Sequence, residues 1–173
     1  MESTLNQDIL LNTAQKAYLK KVSKPIAFRL WTLFNVPLGF FAGMKLIELT
    51  PNKASSTLPY KWLNKNPFKS IYFAAQSMAA ELSTASLAIT AIQGYSPSIA
   101  TIIVNLEAEF TKKATAKTTF TCEDGSEIFA AVKKCVDTGE AVTIKTKTIG
   151  RMPDGTQVST FWFTWSFKQR SKK

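Results

Sequence analysis

Residues 66–92, NPFKSIYFAAQSMAAELSTASLAITAI, are the stretch around which the rest of this chain is organised. Asn66-Pro67 marks a turn, Ser70 stands where a helix cap belongs, and no Gly or Pro follows until Gly94 and Pro97. The stretch therefore reads as a long central helix (about 66–92) behind an ordered lead-in loop. Its circumference is mostly Ala, Ser and Thr, with Phe73, Met78, Leu82 and Ile89 as the larger apolar groups. Small side chains let neighbouring backbones approach from several sides, which places this helix inside the molecule.

Glu81 is the one carboxylate between Glu48 and Glu107. Two readings stand side by side: a solvent stripe shared with Ser77 and Thr84, or a partly buried carboxylate acting as general base or nucleophile.

The chain has 173 residues and 45% hydrophobic content, the size and composition of one domain with a real core. The net charge is +10, of which the tail from Lys168 to Lys173 contributes four. Such a surface attracts phosphate groups, whether of nucleic acid, anionic lipid, coenzyme A or an acidic carrier. With no histidine, Ser-His and Cys-His catalysis and the usual zinc sites are excluded. Cys122 and Cys135 lack metal-ligand spacing. The N-terminus does not resemble a signal peptide, and the expected compartment is cytoplasmic.

Along the chain, a helix is expected over Ile9 to Val22, then a second from Pro25, with Ile26, Leu30, Leu33 and Phe34 on one side. Residues as far as Phe41 are very apolar, but Arg29, Asn35, Pro37 and Gly39 interrupt them too often for a membrane span. A cap over the core or a pocket is the favoured role, and contact with a membrane surface the less favoured one. Met44–Thr50 and Ala54–Tyr60 read as strands. In Thr101–Phe110 the residues Ile102, Val104, Leu106, Ala108 and Phe110 alternate with Asn105, Glu107 and Glu109, predicting one apolar face. A strand over Lys117–Cys122, a turn and cap over Glu123–Ser126, a helix through Ile128, Ala131, Val132, Cys135 and Val136 with Gly139 as its stop, and a hairpin of Ala141–Ile149 with Gln157–Phe167 complete the order. The last strand carries Phe161, Phe163, Trp165 and Phe167 on one face. No basic residue interleaves them, so they read as core and not as a base-stacking platform. The class is α+β with an antiparallel sheet wrapped around the central helix. The divisions are an N-terminal helical extension (1–24), the main domain (25–167) and a basic tail (168–173).

This order resembles the hotdog fold of acyl-CoA thioesterases. The lead-in loop is similar to the Asn-x-x-Gly-Thr-x-His-Gly-Gly pattern of phenylacetyl-CoA-thioesterase-like proteins, which carry an Asp or Glu nine residues beyond the His. Here it stands as Asn66-Pro-Phe-Lys-Ser-Ile-Tyr72-Phe73-Ala74, with Glu81 nine beyond Tyr72. Asn66, Ser70 and Glu81 follow the pattern, while Lys69, Tyr72, Phe73 and Ala74 depart from it. The chain is more similar still to an uncharacterised branch of the superfamily in which a helix motif ending in Ala-Glu is usual.

The resemblance implies a homodimer or dimer of dimers acting on an acyl-CoA or acyl-carrier thioester. Coenzyme A would enter as part of the substrate, and no other cofactor and no metal is implied. Glu81, Asn66 and Tyr72 would be the catalytic groups, with the backbone N–H of Phe73 and of Ala74 as oxyanion donors. Lys145, Lys147 and Arg151 could pair with coenzyme A phosphates, or form a solvated face. Asn66 could equally set the turn, and Tyr72 merely pack. A non-catalytic acyl- or lipid-binding protein is the alternative, and nucleic acid is not the expected partner, since no recognition motif accompanies the charge. Phe73 and Glu81 lie eight residues, or roughly 12 Å, apart along the helix. One thioester cannot be reached by both within a chain, so each site is expected to be shared between two subunits.

Overall fold

The computed structural model describes residues 9–171. Three helices lead: α1 (Thr13–Val22), α2 (Pro25–Asn35) and α3 (Pro37–Ala42). Strands β1 (Lys45–Leu49) and β2 (Ala54–Leu58) follow, then a short 3₁₀ turn over Trp62–Asn64 and the long helix α4 (Phe73–Ala91). The chain ends in β3 (Ile99–Phe110), β4 (Thr118–Cys122), α5 (Gly125–Thr138), β5 (Val142–Arg151) and β6 (Gln157–Gln169). The six strands form one antiparallel sheet in the order β1-β2-β4-β5-β6-β3. It curls around α4 as the hotdog fold requires. Among the described residues no helix is long and apolar enough to cross a membrane.

The small residues of α4 bring it down onto the sheet. Ala79, Ala80, Ser83, Leu87 and Ala88 are fully buried. Polar groups this deep need partners. Ser56 Oγ donates to the carbonyl of Ala79, Ser83 Oγ and Thr148 Oγ1 share a hydrogen bond of 2.9 Å, and Ser159 Oγ donates to Gln76 Oε1 at 3.0 Å. Below the helix, Phe161, Phe163, Trp165 and Phe167 of β6 are buried as expected. The aromatic row is the core side of the strand.

Helix α1 starts at Thr13, four residues later than expected, because Asn12 closes a capping box with Gln15. The same two side chains fix it to the far end of α4, with Asn12 Nδ2 donating to Gln93 O and Gln15 Nε2 to Ala91 O, both at 2.9 Å. Pro37 does not end the apolar run; it begins α3 as a first-turn proline. Gly39 permits close packing there, since a Cβ would stand 2.7 Å from Met44 Cε.

Three expectations are corrected. The central helix begins at Phe73, and Ser70 does not cap it. The Ser70 hydroxyl is bonded to Asn66, the Ile71 N–H donates to Ala114 O at 2.8 Å, and the Tyr72 N–H to Asn64 O at 2.7 Å. Those bonds hold residues 70–72 extended, so Tyr72 is the N-cap and no side chain caps the helix. On α2, the side expected to cap the core is mostly turned away from it: Ile26, Leu30 and Phe34 are exposed, Leu33 is half-buried and Thr32 is buried. On β3, a bulge between Ile103 and Asn105 breaks the period of two. Leu106 and Ala108, paired with Phe163 and Phe161, keep the core side, whereas Ile102, paired with Ser166, stands on the outer side.

Candidate functional site

A cavity of about 580 Å³ opens between α4, α3 and the edge strand β3. From α4 it is lined by Ala74, Ala75, Ser77, Met78 and Glu81. Relative to Glu81 these include the i−3, i−4 and i−7 positions, which share one helix face. Leu38 and Ala42 of α3, Leu63 and Asn64 of the 3₁₀ turn, and Tyr72 form the opposite wall. Ile103, Leu106 and Phe163 supply the sheet side. Most of this lining is apolar, with Glu81 as its one ionisable carboxylate.

Glu81 is partly buried, and desolvation raises its pKa above the ordinary value of 4.5. Among the described residues no Lys or Arg forms an ion pair with it. A carboxylate in that setting is poised to exchange a proton closer to neutrality than a solvated one. Cys122 is no rival, because burial pushes its thiol up to about 12.

At the other end of the same face lies the uncapped start of α4. The first backbone bond into the helix is Gln76 N–H to Tyr72 O at 3.1 Å, so the N–H groups of Phe73, Ala74 and Ala75 have no partner within the helix. Ala74 and Ala75 line the cavity. Phe73 does not, since its ring packs edge-on against Tyr72 and Phe110, with centroids 4.8 and 6.3 Å away. Tyr72 is 46% exposed and lines the cavity.

Asn66 lies outside this lining and builds the loop in front of it. Its Oδ1 accepts from the N–H of Phe68 at 3.0 Å and of Ser70 at 3.1 Å, an Asx arrangement that closes the turn. Within that turn Lys69 has φ of 60°, a left-handed conformation in which glycine is usual. Lys69, which stands where the resembled pattern has glycine, thus takes a conformation that glycine adopts freely. The asparagine that reaches the cavity is Asn64, which sequence reasoning missed. It is fully buried, and its Nδ2 donates to Ala42 O at 2.9 Å and Pro59 O at 2.8 Å. No motif marks it; the only signal was its place two residues before Asn66.

Lys145, Lys147 and Arg151 are not brought to the cavity. They are exposed on β5, whose core side carries Thr146 and Thr148 against α4. Lys145 pairs with Glu107 at 2.7 Å. The Lys147 N–H donates to Asp124, and the Arg151 guanidinium donates to Gly155 O and Gln157 Oε1, each at 3.1 Å.

No family model and no curated protein matches this chain. Solved structures do. A Pseudomonas aeruginosa protein described as a probable thioesterase is 17% identical, with a TM-score of 0.71 over 82% of this chain and 93% of its own. A thioesterase family protein from Silicibacter pomeroyi is 13% identical, with a TM-score of 0.59 over 88% and 99%. A Chlorobaculum tepidum protein of unknown function is 11% identical, with a TM-score of 0.70 over 87% and 99%. At these identities the likeness carries the fold alone, an antiparallel sheet around a long helix, and not the activity.

Proposed function

We propose that this chain is an acyl thioester hydrolase that works as a homodimer on an acyl-CoA or acyl-carrier substrate, with Glu81 as general base. One observation carries the reading: a single carboxylate, its pKa raised by burial, set in the wall of an otherwise apolar cavity of about 580 Å³. That volume suits a small-molecule ligand. Leu38, Met78, Ile103 and Leu106 would face the acyl group. The thioester oxygen would take the open N–H groups of Phe73 and Ala74 at the positive end of α4. Ionised Glu81 would accept a proton from water as the water oxygen bonds to the carbonyl carbon. The C–S bond then breaks, and the same proton passes to the departing sulfur, giving a free acid and a free thiol. Tyr72 would donate to the substrate from the cavity wall, and Asn66 would act through the loop it holds.

The donors and the base are too far apart on one helix to meet at one carbonyl. A second copy supplies the missing half. Strand β3 is a sheet edge of twelve residues with Ile102 and Val104 exposed, and an unpaired apolar edge of that length invites strand pairing. Pairing about a two-fold axis would set the two α4 helices antiparallel, the start of one beside Glu81 of the other.

A second reading is an acyl-binding protein without turnover. It is favoured by Phe73 and Ala74, whose side chains occupy positions where the resembled pattern has glycine. A panel of acyl-CoA substrates, followed by thiol release with wild type and Glu81→Gln side by side, decides between them. Thiol release that disappears in Glu81→Gln supports the hydrolase. A ligand seen by native mass spectrometry, with no thiol release from either protein, supports the binding reading.

A further inference from the structure

Helix α2 wears its apolar side outward. Ile26 and Phe34 are each 79% exposed, Leu30 lies between them on the same face, and the buried residue of the helix is Thr32. The apolar surface continues over Leu38 and Phe41 of α3 to Trp62, which is 86% exposed, and Leu63. These elements are pinned together. Arg29 lies 4.5 Å above the Phe40 ring, and Lys61 Nζ donates to Phe41 O at 2.7 Å. Exposed apolar side chains gathered on linked elements in this way mark an interaction surface.

The segment that carries these residues is strongly basic. Residues 9–71 hold ten Lys or Arg and a single acid, Glu48. Lys20, Lys21 and Lys24 are exposed on and just after α1, which packs against α2. Phosphate headgroups above hydrocarbon match this combination, because cations and apolar side chains are then satisfied together. A nucleic acid would use the charge and leave the apolar side chains in water. A second copy paired along β3 would leave Ile26, Leu30 and Phe34 bare, since α2 sits beside β1 at the opposite end of the sheet, while Leu38 and Leu63, which share the Glu81 cavity with Ile103 and Leu106, lie toward the β3 edge.

We propose that the outer face of α2, α3 and the 3₁₀ turn docks on an anionic bilayer surface. Ile26, Leu30 and Phe34 enter the acyl layer while the lysines of α1 lie among the headgroups. Leu38 and Leu63 belong both to this surface and to the Glu81 cavity, so docking sets the cavity mouth at the membrane. That last step rests on the acyl-binding reading; the docking does not.

The test is co-sedimentation of the full chain with vesicles of phosphatidylcholine alone, and with vesicles in which roughly a third of the lipid is phosphatidylglycerol. The wild type pellets with the second and not the first, and raised salt weakens the binding. The variant Ile26→Gln, Leu30→Gln, Phe34→Gln keeps side chains that a helix tolerates and changes no residue of the Glu81 cavity. It loses binding by about tenfold or more, and so does Lys20→Glu, Lys21→Glu, Lys24→Glu. Thiol release from a short-chain acyl-CoA in free solution stays at the wild-type level in the first variant, which separates docking from catalysis. Wild type that stays in the supernatant with both vesicles, or a glutamine variant that pellets like wild type, overturns the proposal. A wild-type oligomer larger than a dimer that the glutamine variant reduces to a dimer also overturns it, because the face is then covered by protein.

Discussion

Ala74 and Glu81 line one cavity from one helix, seven residues apart, which is about two turns and roughly 10 Å of axial rise. The start of the helix, with its unpaired N–H groups, and the carboxylate therefore share a face without sharing a point. On the proposed hydrolase reading, this spacing is what calls for a second subunit and gives the two ends of the cavity distinct roles.

Glu81 must be ionised to act as a base. Burial lifts its pKa above 4.5, so thiol release should rise with pH through a midpoint above the solvated carboxylate range. A pH profile of kcat measures this. A flat profile across the acid range removes Glu81 from the proton transfer.

The same burial affects stability. With its folded pKa above the unfolded one, Glu81 contributes most below the unfolded value, and that contribution is lost as pH rises through the folded pKa. Glu81→Gln should therefore unfold at a higher temperature than wild type at neutral pH, and the gap should close as pH falls below the ordinary carboxylate range. Thermal melts at several pH values report the difference. A variant less stable than wild type at neutral pH would mean that the carboxylate has a favourable partner.

Lys69 holds φ of 60° in the loop ahead of α4. A side chain in the left-handed region costs about 1–2 kcal/mol, partly offset by the greater freedom that glycine loses on folding. Lys69→Gly should thus stabilise the chain by roughly 0.5–1 kcal/mol. Urea unfolding of the two proteins measures it, and destabilisation would show that the lysine side chain contributes more than its backbone costs.

Changing Lys145, Lys147 and Arg151 to Ala together tests whether the outer face of β5 holds coenzyme phosphates. These side chains stand on the side of the strand away from the cavity, and Lys145 is already paired with Glu107. The expected change in KM for acyl-CoA is under about twofold. A rise of several-fold would place the coenzyme across that face.

Much of the architecture was legible in the sequence because it rests on local signals. The small residues of 73–91, the Gly139 stop and the aromatic alternation of β6 each carried their local meaning into the fold. What failed was context. The alternation of β3 does not reveal that Val104 sits in a bulge or that the strand lies at an edge. The stripe on α2 shows that Ile26, Leu30 and Phe34 share a face, but its period cannot say whether that face meets the core or the surroundings. In the cavity lining, Glu81 stood out by being alone, and Tyr72 and Ala74 by their places in the resembled pattern, whose residue types they do not keep. Asn64 was missed because its importance comes from Ala42 O and Pro59 O, contacts made through the fold and not by spacing.

The shared site is the central claim, and mixing two inactive proteins tests it most directly. Glu81→Gln removes the base. Phe73→Pro removes an N–H at the first helical position, where proline is tolerated and Tyr72 already holds ψ of 135°; Phe73→Ala controls for the lost ring. With both variants shown to be folded, random exchange makes about half the dimers hybrid, each with one intact site of two. Activity should return to about a quarter of wild type. If mass spectrometry shows the hybrids and thiol release stays absent, the two ends of the cavity do not act across subunits and the account is wrong.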